Sequence, residues 1–251
     1  IFDRSDLQWS VTWMGSTVNN KVLKLTEDGS DILGSTQIIR EGETLYSYYV
    51  ARSAGVDPMT GEKMYWATDK DGNDYITKST TVAQANRVLA GSRIPDLYGS
   101  LSTSLRWKNL DFSISTNYSI GGKMYDGVYY ELMSCYYTAQ TKHKNMLRAW
   151  RKPGDVTDVP KYTIGETPIV TDDKLFDASY FAIKNITLGY TLPKRWTSKI
   201  GFKAARISAS VDNLCIFTRL KGMDPQYSLT GGTGYVYAPT RTVSFNLDLK
   251  F

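Results

Sequence analysis

Aromatic side chains that carry a hydroxyl or an indole N–H group are concentrated in two segments that lack a regular hydrophobic pattern. Such rings stack on sugar faces or on peptide side chains, and the phenolic hydroxyl adds a hydrogen bond. We expect them to contact a ligand or a partner that closes over it, although rings that merely pack loop against loop are the alternative. The candidates are Tyr129, Tyr130, Tyr136, Tyr137, Trp150, Tyr227, Tyr235 and Tyr237.

The sequence offers little for catalysis. His143 is the only histidine, so no histidine-based triad or histidine metal site can form within this chain. Cys135 and Cys215 lie far apart without the spacing of a paired metal site. Paired carboxylates, a nucleophile elbow and a cofactor fingerprint are all missing from the sequence. We therefore expect a protein that is not an enzyme and that has no cofactor.

The run DKDGND at 69–74 is rich in acidic residues, as a calcium-binding loop would be. An EF-hand loop needs glycine at position 6 and a bidentate glutamate at position 12. Here Gly72 falls at position 4 and Thr80 at position 12. The pattern instead predicts a hairpin turn in which Gly72 has a positive φ. Loop calcium stays an alternative, and Asp172 with Asp173 forms a second acidic pair.

Composition limits the class of protein. The net charge of +5 is mild and its charges are scattered, which argues against a nucleic-acid partner. No apolar run approaches the ~20 residues that a membrane helix needs. The chain has no initiator methionine or signal peptide and opens on a turn that leads into a strand. We therefore expect it to be a piece of a longer protein.

Six segments alternate apolar and polar residues with the period of a β-strand. They are about 9–14 residues long, where globular strands average about 5–6 and membrane-crossing strands need about 9–11. Aromatic residues lie near their ends, and their polar faces are rich in serine, threonine and asparagine. These features favour an all-β, antiparallel transmembrane β-barrel over a soluble sandwich. The predicted strands lie near 7–15, 97–107, 110–120, 180–192, 204–217 and 241–251.

The connections between these strands are alternately short and long. Outer-membrane barrels alternate short periplasmic turns with long extracellular loops in the same way. This pattern predicts that the C-terminus lies on the periplasmic side. An open sheet has two unpaired edges, which lipid does not tolerate, so strands from elsewhere must complete the barrel. The long connections, predicted to be extracellular loops, are 16–96, 121–178 and 218–239.

Several motifs, in order along nearly the whole chain, resemble those of the SusC/RagA-type TonB-dependent outer-membrane transporters of Bacteroidetes. One departure is Ala182, where that family usually has a longer basic residue. The matching stretches are YYVARSAGVDPMTGEKMYWATDKDGN (48–73), SRIPDLYGSLSTSLRWKNLDFSISTNYSIGGKMYDG (92–127), ASYFAIKNITLGYTLPKRW (178–196), ARISASVDNLCIFTRLKGMDPQY (205–227) and APTRTVSFNLDLKF (238–251).

The resemblance implies a plugged barrel of roughly 22 strands, of which this chain would supply the last six. It places the plug domain and the TonB box upstream of this chain. It also implies a SusD-like surface lipoprotein, TonB and outer-membrane lipid as partners, and glycans or oligopeptides as cargo. Two alternatives remain at this point: a passive outer-membrane porin and a secreted, soluble carbohydrate-binding β-sandwich.

The C-terminal segment ends in mid-strand on an aromatic residue. Its alternating apolar residues resemble the signal that the outer-membrane assembly machinery recognises. We therefore expect the set to act in assembly as well as in the barrel wall. These residues are Val243, Phe245, Leu247, Leu249 and Phe251.

Overall fold

The computed structural model describes residues 2–4, 6–25, 27–136, 140–166, 169–220, 223–228, 230–232, 234 and 236–251. Most regular structure in this part of the chain is β-strand. The strands are β1 (Phe2–Arg4), β2 (Leu7–Ser16), β3 (Ile32–Leu33), β4 (Gln37–Ile39), β5 (Ser47–Val50), β6 (Arg52–Val56), β7 (Lys63–Thr68), β8 (Asp74–Thr77), β9 (Val88–Ser92), β10 (Leu97–Trp107), β11 (Leu110–Ile120), β12 (Lys123–Tyr125), β13 (Leu175–Asp177), β14 (Tyr180–Thr191), β15 (Ala204–Thr218) and β16 (Thr242–Lys250).

Helices are short. The three α-helices are α1 (Thr80–Ala85), α2 (Gly127–Met133) and α3 (Lys194–Thr197). Single 3₁₀ turns occur at Lys144–Arg148, Asp172–Lys174, Ser198–Ile200 and Pro225–Tyr227. No helix in the described part of the chain is long and apolar enough to cross a membrane.

One large antiparallel sheet dominates the fold, with strand order β1-β2-β10-β11-β14-β15-β16. Six of its strands coincide with the predicted segments, and the all-β, antiparallel fold class is confirmed. The seventh, β1, has only three residues, too few for a period-2 pattern to be recognised. Short connections all lie at one end of the sheet and the long ones at the other.

One face of this sheet is apolar in each of its six long strands. Residues that pair across neighbouring strands share a face, and the pairing aligns them in rows. The exception is Thr103, whose hydroxyl accepts from Trp9 Nε1 at 2.8 Å and donates to the Ser10 carbonyl at 3.1 Å. The rows are Leu7, Trp107, Leu110, Tyr190, Ile207 and Leu247; Trp9, Leu105, Phe112, Leu188, Ala209 and Phe245; and Val11, Thr103, Ile114, Ile186, Val211 and Val243.

The opposite face is polar with the same regularity. Its hydroxyl and amide groups bond across strands, as Ser10 Oγ does with Ser104 Oγ at 2.7 Å and Asn185 Nδ2 with Asp212 at 2.7 Å. The sheet is therefore amphipathic across its six long strands. The rows are Gln8, Arg106, Asp111, Gly189, Ser208 and Asn246; Ser10, Ser104, Ser113, Thr187, Ser210 and Ser244; and Thr12, Ser102, Ser115, Asn185, Asp212 and Thr242.

The large apolar face is exposed. Phe245 is 80% exposed and Trp13 is 64% exposed, although both are large apolar residues on long strands. A soluble sandwich would cover such a face with a second sheet. An exposed apolar patch of this extent marks a surface that contacts lipid or protein. The soluble-sandwich alternative is therefore inconsistent with the observed packing.

Strand β14 changes its register once. Lys184 has no partner in β11 or β15, because the pairing shifts between Ser115 and Thr116 on one side and between Ile183 and Asn185 on the other. In β15 the irregularity includes Asn213, which has a φ of 50°. The apolar alternation in the sequence switches phase at the same place, and such bulges re-aim side chains within a strand.

The described parts of the long connections contain regular structure, although the sequence pattern predicts only loops there. They contain a four-stranded sheet (β3-β4-β5-β9), a three-stranded sheet (β6-β7-β8) and the β12-β13 pair. These strands have two to six residues, so their pattern is too short to separate from a loop. The turn predicted at 69–74 joins β7 to β8, and Gly72 has a φ of 86°, which confirms that prediction.

Most of the largest fully buried side chains in the described part of the chain lie among these connections, and none lies in the long strands of the large sheet. Tyr48 is fully buried, and its hydroxyl shares its one proton between the carbonyls of Gly231 at 2.7 Å and Lys123 at 3.1 Å. Arg93 donates from Nη2 to the Pro225 carbonyl at 2.8 Å. These two side chains connect all three long connections into one packed assembly, called here the loop assembly (the described residues within 17–96, 121–179 and 219–241).

Candidate functional site

A cavity of about 290 Å³ lies within the loop assembly. Strand β7, helix α2, strand β13 and the 3₁₀ turn Asp172–Lys174 position its walls. None of its lining residues comes from the long strands of the large sheet. We call it the loop cavity, and the lining residues used below are Lys63, Tyr65, Tyr129, Tyr130, Asp173 and Lys174.

Helix α2 brings two of the predicted aromatic residues into this cavity. The helix begins at Gly127 because the Asp126 carboxylate accepts from the backbone N–H of Tyr129 at 2.8 Å, which satisfies a free donor of the first turn. Tyr129 meets Phe176 edge-on at 6.0 Å between ring centroids, and Tyr130 lies 5.8 Å from Tyr125. Burial raises the pKa of Tyr130.

Tyr129 is held on several sides. The ring of His143 contacts it edge-on at a centroid distance of 4.9 Å, and Lys174 Nζ lies 5.7 Å from its centroid. Its hydroxyl accepts from Asn145 Nδ2 at 3.0 Å. The orientation of this ring in the cavity wall is therefore fixed before any ligand binds.

One end of the cavity is ionic. Asp173 accepts from Lys63 Nζ at 2.7 Å and from Lys174 Nζ at 3.3 Å, and the Thr171 hydroxyl donates to it as well. Burial alone would raise the pKa of Asp173, but the two lysine charges and the hydrogen bonds outweigh burial and hold the pKa at about 2. The carboxylate is therefore ionised throughout the physiological range.

Tyr65 adds a buried phenol to the lining. The residue is 4% exposed and packs with Ala51, Ala83 and Ile169. Burial is the main reason that the pKa of Tyr65 rises to about 12, and the negative charges of Glu166 and Asp173 add to this effect.

The remaining predicted aromatic residues lie away from the loop cavity. Trp150 packs on Gly61, where a Cβ would collide with the indole ring, and Trp150 Nε1 donates to the Pro58 carbonyl at 2.9 Å. Trp150 therefore holds two loop segments together, which is the loop-on-loop packing given as the alternative to ligand contact for these aromatic residues. Outside the cavity lining are Tyr136, Tyr227 and Tyr237, which are 48%, 43% and 96% exposed, and Tyr137 and Tyr235 lie outside the described residues.

Lys63 and Tyr65 are not predicted from the sequence, whereas Asp172 and Asp173 are predicted as a possible calcium pair. Asp173 pairs with Lys63, and Asp172 accepts from the backbone N–H of Ser53 at 2.8 Å. Over the described residues, no group of three or more metal-ligating side chains comes together. Lys63 and Tyr65 lie in a short strand far from α2 in sequence, so only the fold brings them together.

The polar face of the large sheet has its own charged cluster near the short-turn end. Arg206 Nη2 lies 2.6 Å from Asp111 Oδ2, and Arg206 Nη1 lies 3.7 Å from Asp248 Oδ2. The Arg206–Asp111 pair passes over Gly189, where a Cβ would clash with both side chains. The glycine thus allows an ion pair to cross β14.

Comparison with known proteins shows extensive similarity. The chain is 30% identical over 282 residues to TonB-dependent receptor P3 of Formosa agariphila, a match that includes 98% of this chain and 27% of the relative. It is 25% identical to the TonB-dependent receptor SusC of Bacteroides thetaiotaomicron, with 98% and 24% covered. No protein-family model matches the chain. The chain thus spans about a quarter of the length of these relatives.

The fold of this chain is also similar to solved structures of transporters. The RagAB peptide importer in its closed-closed state superposes with a TM-score of 0.86 at 25% identity, covering 100% of this chain and 28% of the other. A second RagAB peptide transporter structure gives 0.85 at 26% identity. The large amphipathic sheet is therefore part of a barrel. The chain is homologous to TonB-dependent receptors, including SusC, and corresponds to about a quarter of such a receptor.

Proposed function

We propose that this chain forms part of the wall and the extracellular loops of a TonB-dependent importer in a bacterial outer membrane. The observation that supports this most strongly is the separation of apolar and polar rows across the six long strands of the large sheet. In this proposal the apolar rows face lipid and the polar rows face a hydrated interior. The similarity to TonB-dependent receptors supplies the link to energised import.

The orientation follows from the connections. The short turns and the C-terminal strand would lie on the periplasmic side, and the loop assembly would lie on the cell surface. Residues from elsewhere in the same receptor would complete the barrel and supply the plug and the TonB box. We propose no catalytic role and no resident cofactor for this chain.

The cargo is a large nutrient, either an oligosaccharide or an oligopeptide. A SusD-like surface lipoprotein would close over the loop assembly. The RagAB peptide importer, which has a similar fold, supports this proposal. The packed loop assembly supports this proposal, because Tyr48 and Arg93 fix it as a rigid surface.

An uptake experiment separates this proposal from a passive porin. The full-length receptor is expressed in a strain that lacks it, and uptake of labelled oligosaccharide and oligopeptide mixtures is measured with and without TonB. We expect uptake of one mixture that stops when TonB is deleted. Uptake that persists at the same rate without TonB would support a porin and contradict the proposal.

A further inference from the structure

The short-turn end of the large sheet carries a row of basic side chains. The connection between β14 and β15 contains four cationic residues and no acidic residue. The turn between β10 and β11 adds a lysine, and the last residue of β16 is another lysine. All six side chains are exposed. We call this set the basic rim, and it consists of Lys108, Lys194, Arg195, Lys199, Lys203 and Lys250.

Hydrogen bonds hold the elements that carry the basic rim beside one another. Asn109 Nδ2 donates to the Thr191 carbonyl at 2.8 Å, which joins the β10–β11 turn to the end of β14. The Lys203 backbone N–H donates to the Lys250 carbonyl at 2.7 Å, which joins the β14–β15 connection to β16. Thr197 at the end of α3 is buried and anchors that connection. The six cations are therefore attached to one fixed edge of the sheet.

The basic rim lacks carboxylate partners in the described part of the chain. None of its side chains forms an ion pair there. In the loop assembly, by contrast, Arg52 and Lys63 each lie 2.7 Å from a carboxylate oxygen. The carboxylates of Asp111 and Asp248 on the polar face pair with Arg206. The charge of the rim is therefore available to an anionic partner.

Two exposed tryptophans place the basic rim at the border of the apolar face. Trp107 belongs to an apolar row, and Lys108 Nζ lies 5.7 Å from the centroid of its ring. Arg195 Cζ lies 5.6 Å from the ring centroid of Trp196. Tryptophan is enriched at the level of lipid headgroups, because its ring is apolar and its indole N–H is polar. Under the proposed orientation, the cations therefore lie at headgroup level.

An anionic headgroup attached to apolar chains matches this combination of groups. Clusters of lysine and arginine beside a membrane attract anionic lipids. Arginine can bind a phosphate through two parallel hydrogen bonds, and lysine binds it as a point charge. A zwitterionic headgroup has no net charge, so it would leave the charge of the rim without compensation. The partner with the matching chemistry is therefore a phospholipid with a net negative charge.

We propose that the basic rim binds anionic phospholipid headgroups of the phosphatidylglycerol type in the periplasmic leaflet, with Lys194, Arg195 and Lys199 of α3 and the following 3₁₀ turn as the main contacts. This inference rests on the orientation given in the proposed function and adds a lipid preference to it. Bound headgroups would hold the barrel wall at a fixed depth, because the cations distinguish headgroups from acyl chains.

The local lipid composition is measured by fluorescence quenching on the full-length receptor in phosphatidylcholine vesicles. The native cysteines are replaced by serine, and a fluorophore is attached to Ser198→Cys, at an exposed position within the rim. The quenchers are phosphatidylglycerol and phosphatidylcholine that carry a nitroxide on the acyl chain near the headgroup. We expect phosphatidylglycerol to be enriched about fivefold over phosphatidylcholine at low salt. This preference should decrease at high salt, because salt screens exposed charges.

Three sets of substitutions locate the effect. Replacement of Lys194, Arg195 and Lys199 by glutamine should remove the preference for phosphatidylglycerol. The exchange Lys194→Arg, Arg195→Lys and Lys199→Arg keeps the charge and should keep the preference. The matched control replaces three exposed lysines of the loop assembly by glutamine, which changes the net charge equally, and it should also keep the preference. These control residues are Lys24, Lys70 and Lys152.

Three results would overturn the inference. Equal quenching by the two lipids would show that the rim is only solvated, and a preference that the glutamine substitutions leave unchanged would place the lipid site elsewhere. Loss of the preference on addition of millimolar inorganic phosphate at constant ionic strength would assign the rim to soluble phosphate. Hydrogen exchange over 194–203 checks that the variants keep the local fold. Because lipid binding needs neither TonB nor cargo, its failure and the failure of TonB-dependent uptake are separate outcomes.

Discussion

Single side chains hold the loop assembly together, and Tyr48 is the clearest example. Its buried hydroxyl shares its one proton between carbonyls of the second and third long connections, and burial raises the pKa of Tyr48 to about 12. Tyr48→Phe would remove this shared donor from both carbonyls. We expect a loss of about 1–3 kcal/mol in local stability, measured by hydrogen exchange over 123–125 and 230–232. Tyr237→Phe, at a site 96% exposed, should leave exchange unchanged.

The Asp173 ion cluster predicts a dependence on pH. The pKa of Asp173 is lowered from 3.8 to about 2, so the carboxylate stabilises the folded loops when it is ionised. Its contribution is fully present above pH 4 and disappears as the pH falls towards 2. We expect about 1–2 kcal/mol, since solvent screens a carboxylate that is 32% exposed.

The measurement for Asp173 is hydrogen exchange over 169–176 between pH 6 and pH 2.5, corrected for intrinsic exchange rates. Protection should decrease below pH 4 in the wild-type chain. In Asp173→Asn protection should already be reduced at pH 6 and change much less with pH. An equal decrease in protection in the wild-type chain and in Asp173→Asn would show that other carboxylates cause the pH dependence.

At the scale of the strand, substitution of neighbouring residues by arginine should reduce stability by different amounts. Ile114 belongs to an apolar row and Ser113 to a polar row of β11. Ile114→Arg would place a charge against lipid and cost about 2–4 kcal/mol near the bilayer midplane. Ser113→Arg faces the hydrated side and should cost less than half as much. Urea unfolding of the full-length protein in phospholipid vesicles measures both, and equal costs would contradict the assignment of faces.

The C-terminal strand supports a separate prediction about assembly. Phe251 is 75% exposed and meets Phe202 edge-on at 5.0 Å between centroids. Deletion of Phe251 should reduce the amount of folded protein in the outer membrane far more than it changes unfolding stability. Phe202→Ala removes the ring contact but keeps the terminus, so it should leave assembly unchanged. If both variants reduced the amount of folded protein equally, Phe251 would act only by packing against Phe202 and not as an assembly signal.

The long strands could be predicted because each has nine or more residues and a recognisable stretch of alternation. The strands of the loop assembly could not, since strands such as β3 and β4 have only two and three residues, and β4 is held by its pairing with β5 at Gln37 and Tyr48. The same limit applies to the site. Tyr129 and Tyr130 were identified by residue type, but Lys63 and Tyr65 reach the cavity only through the pairing of β6, β7 and β8.

Over the whole molecule, the chain has two parts, the large sheet and the loop assembly, which differ in how their residues are packed. The large sheet exposes an apolar face and, in the described part of the chain, has β1 and β16 as its outer strands, in keeping with its similarity to part of a barrel. The loop assembly has its own buried residues, hydrogen bonds and cavity. Under the proposed function, the large sheet is the wall that spans the membrane and the loop assembly is the surface that recognises cargo.

The most direct test of the central claim is a nitroxide scan of β11 in the full-length protein in lipid vesicles. Cys135 and Cys215 are first replaced by serine, and a spin label is then placed at each position of Leu110–Ile120. Collision with oxygen, which partitions into lipid, is compared with collision with a water-soluble nickel complex. We expect oxygen access to peak at Phe112, Ile114 and Tyr118, and nickel access to peak at Ser113, Ser115 and Asn117. Access without a two-residue period, or with the opposite phase, would contradict a membrane-spanning wall.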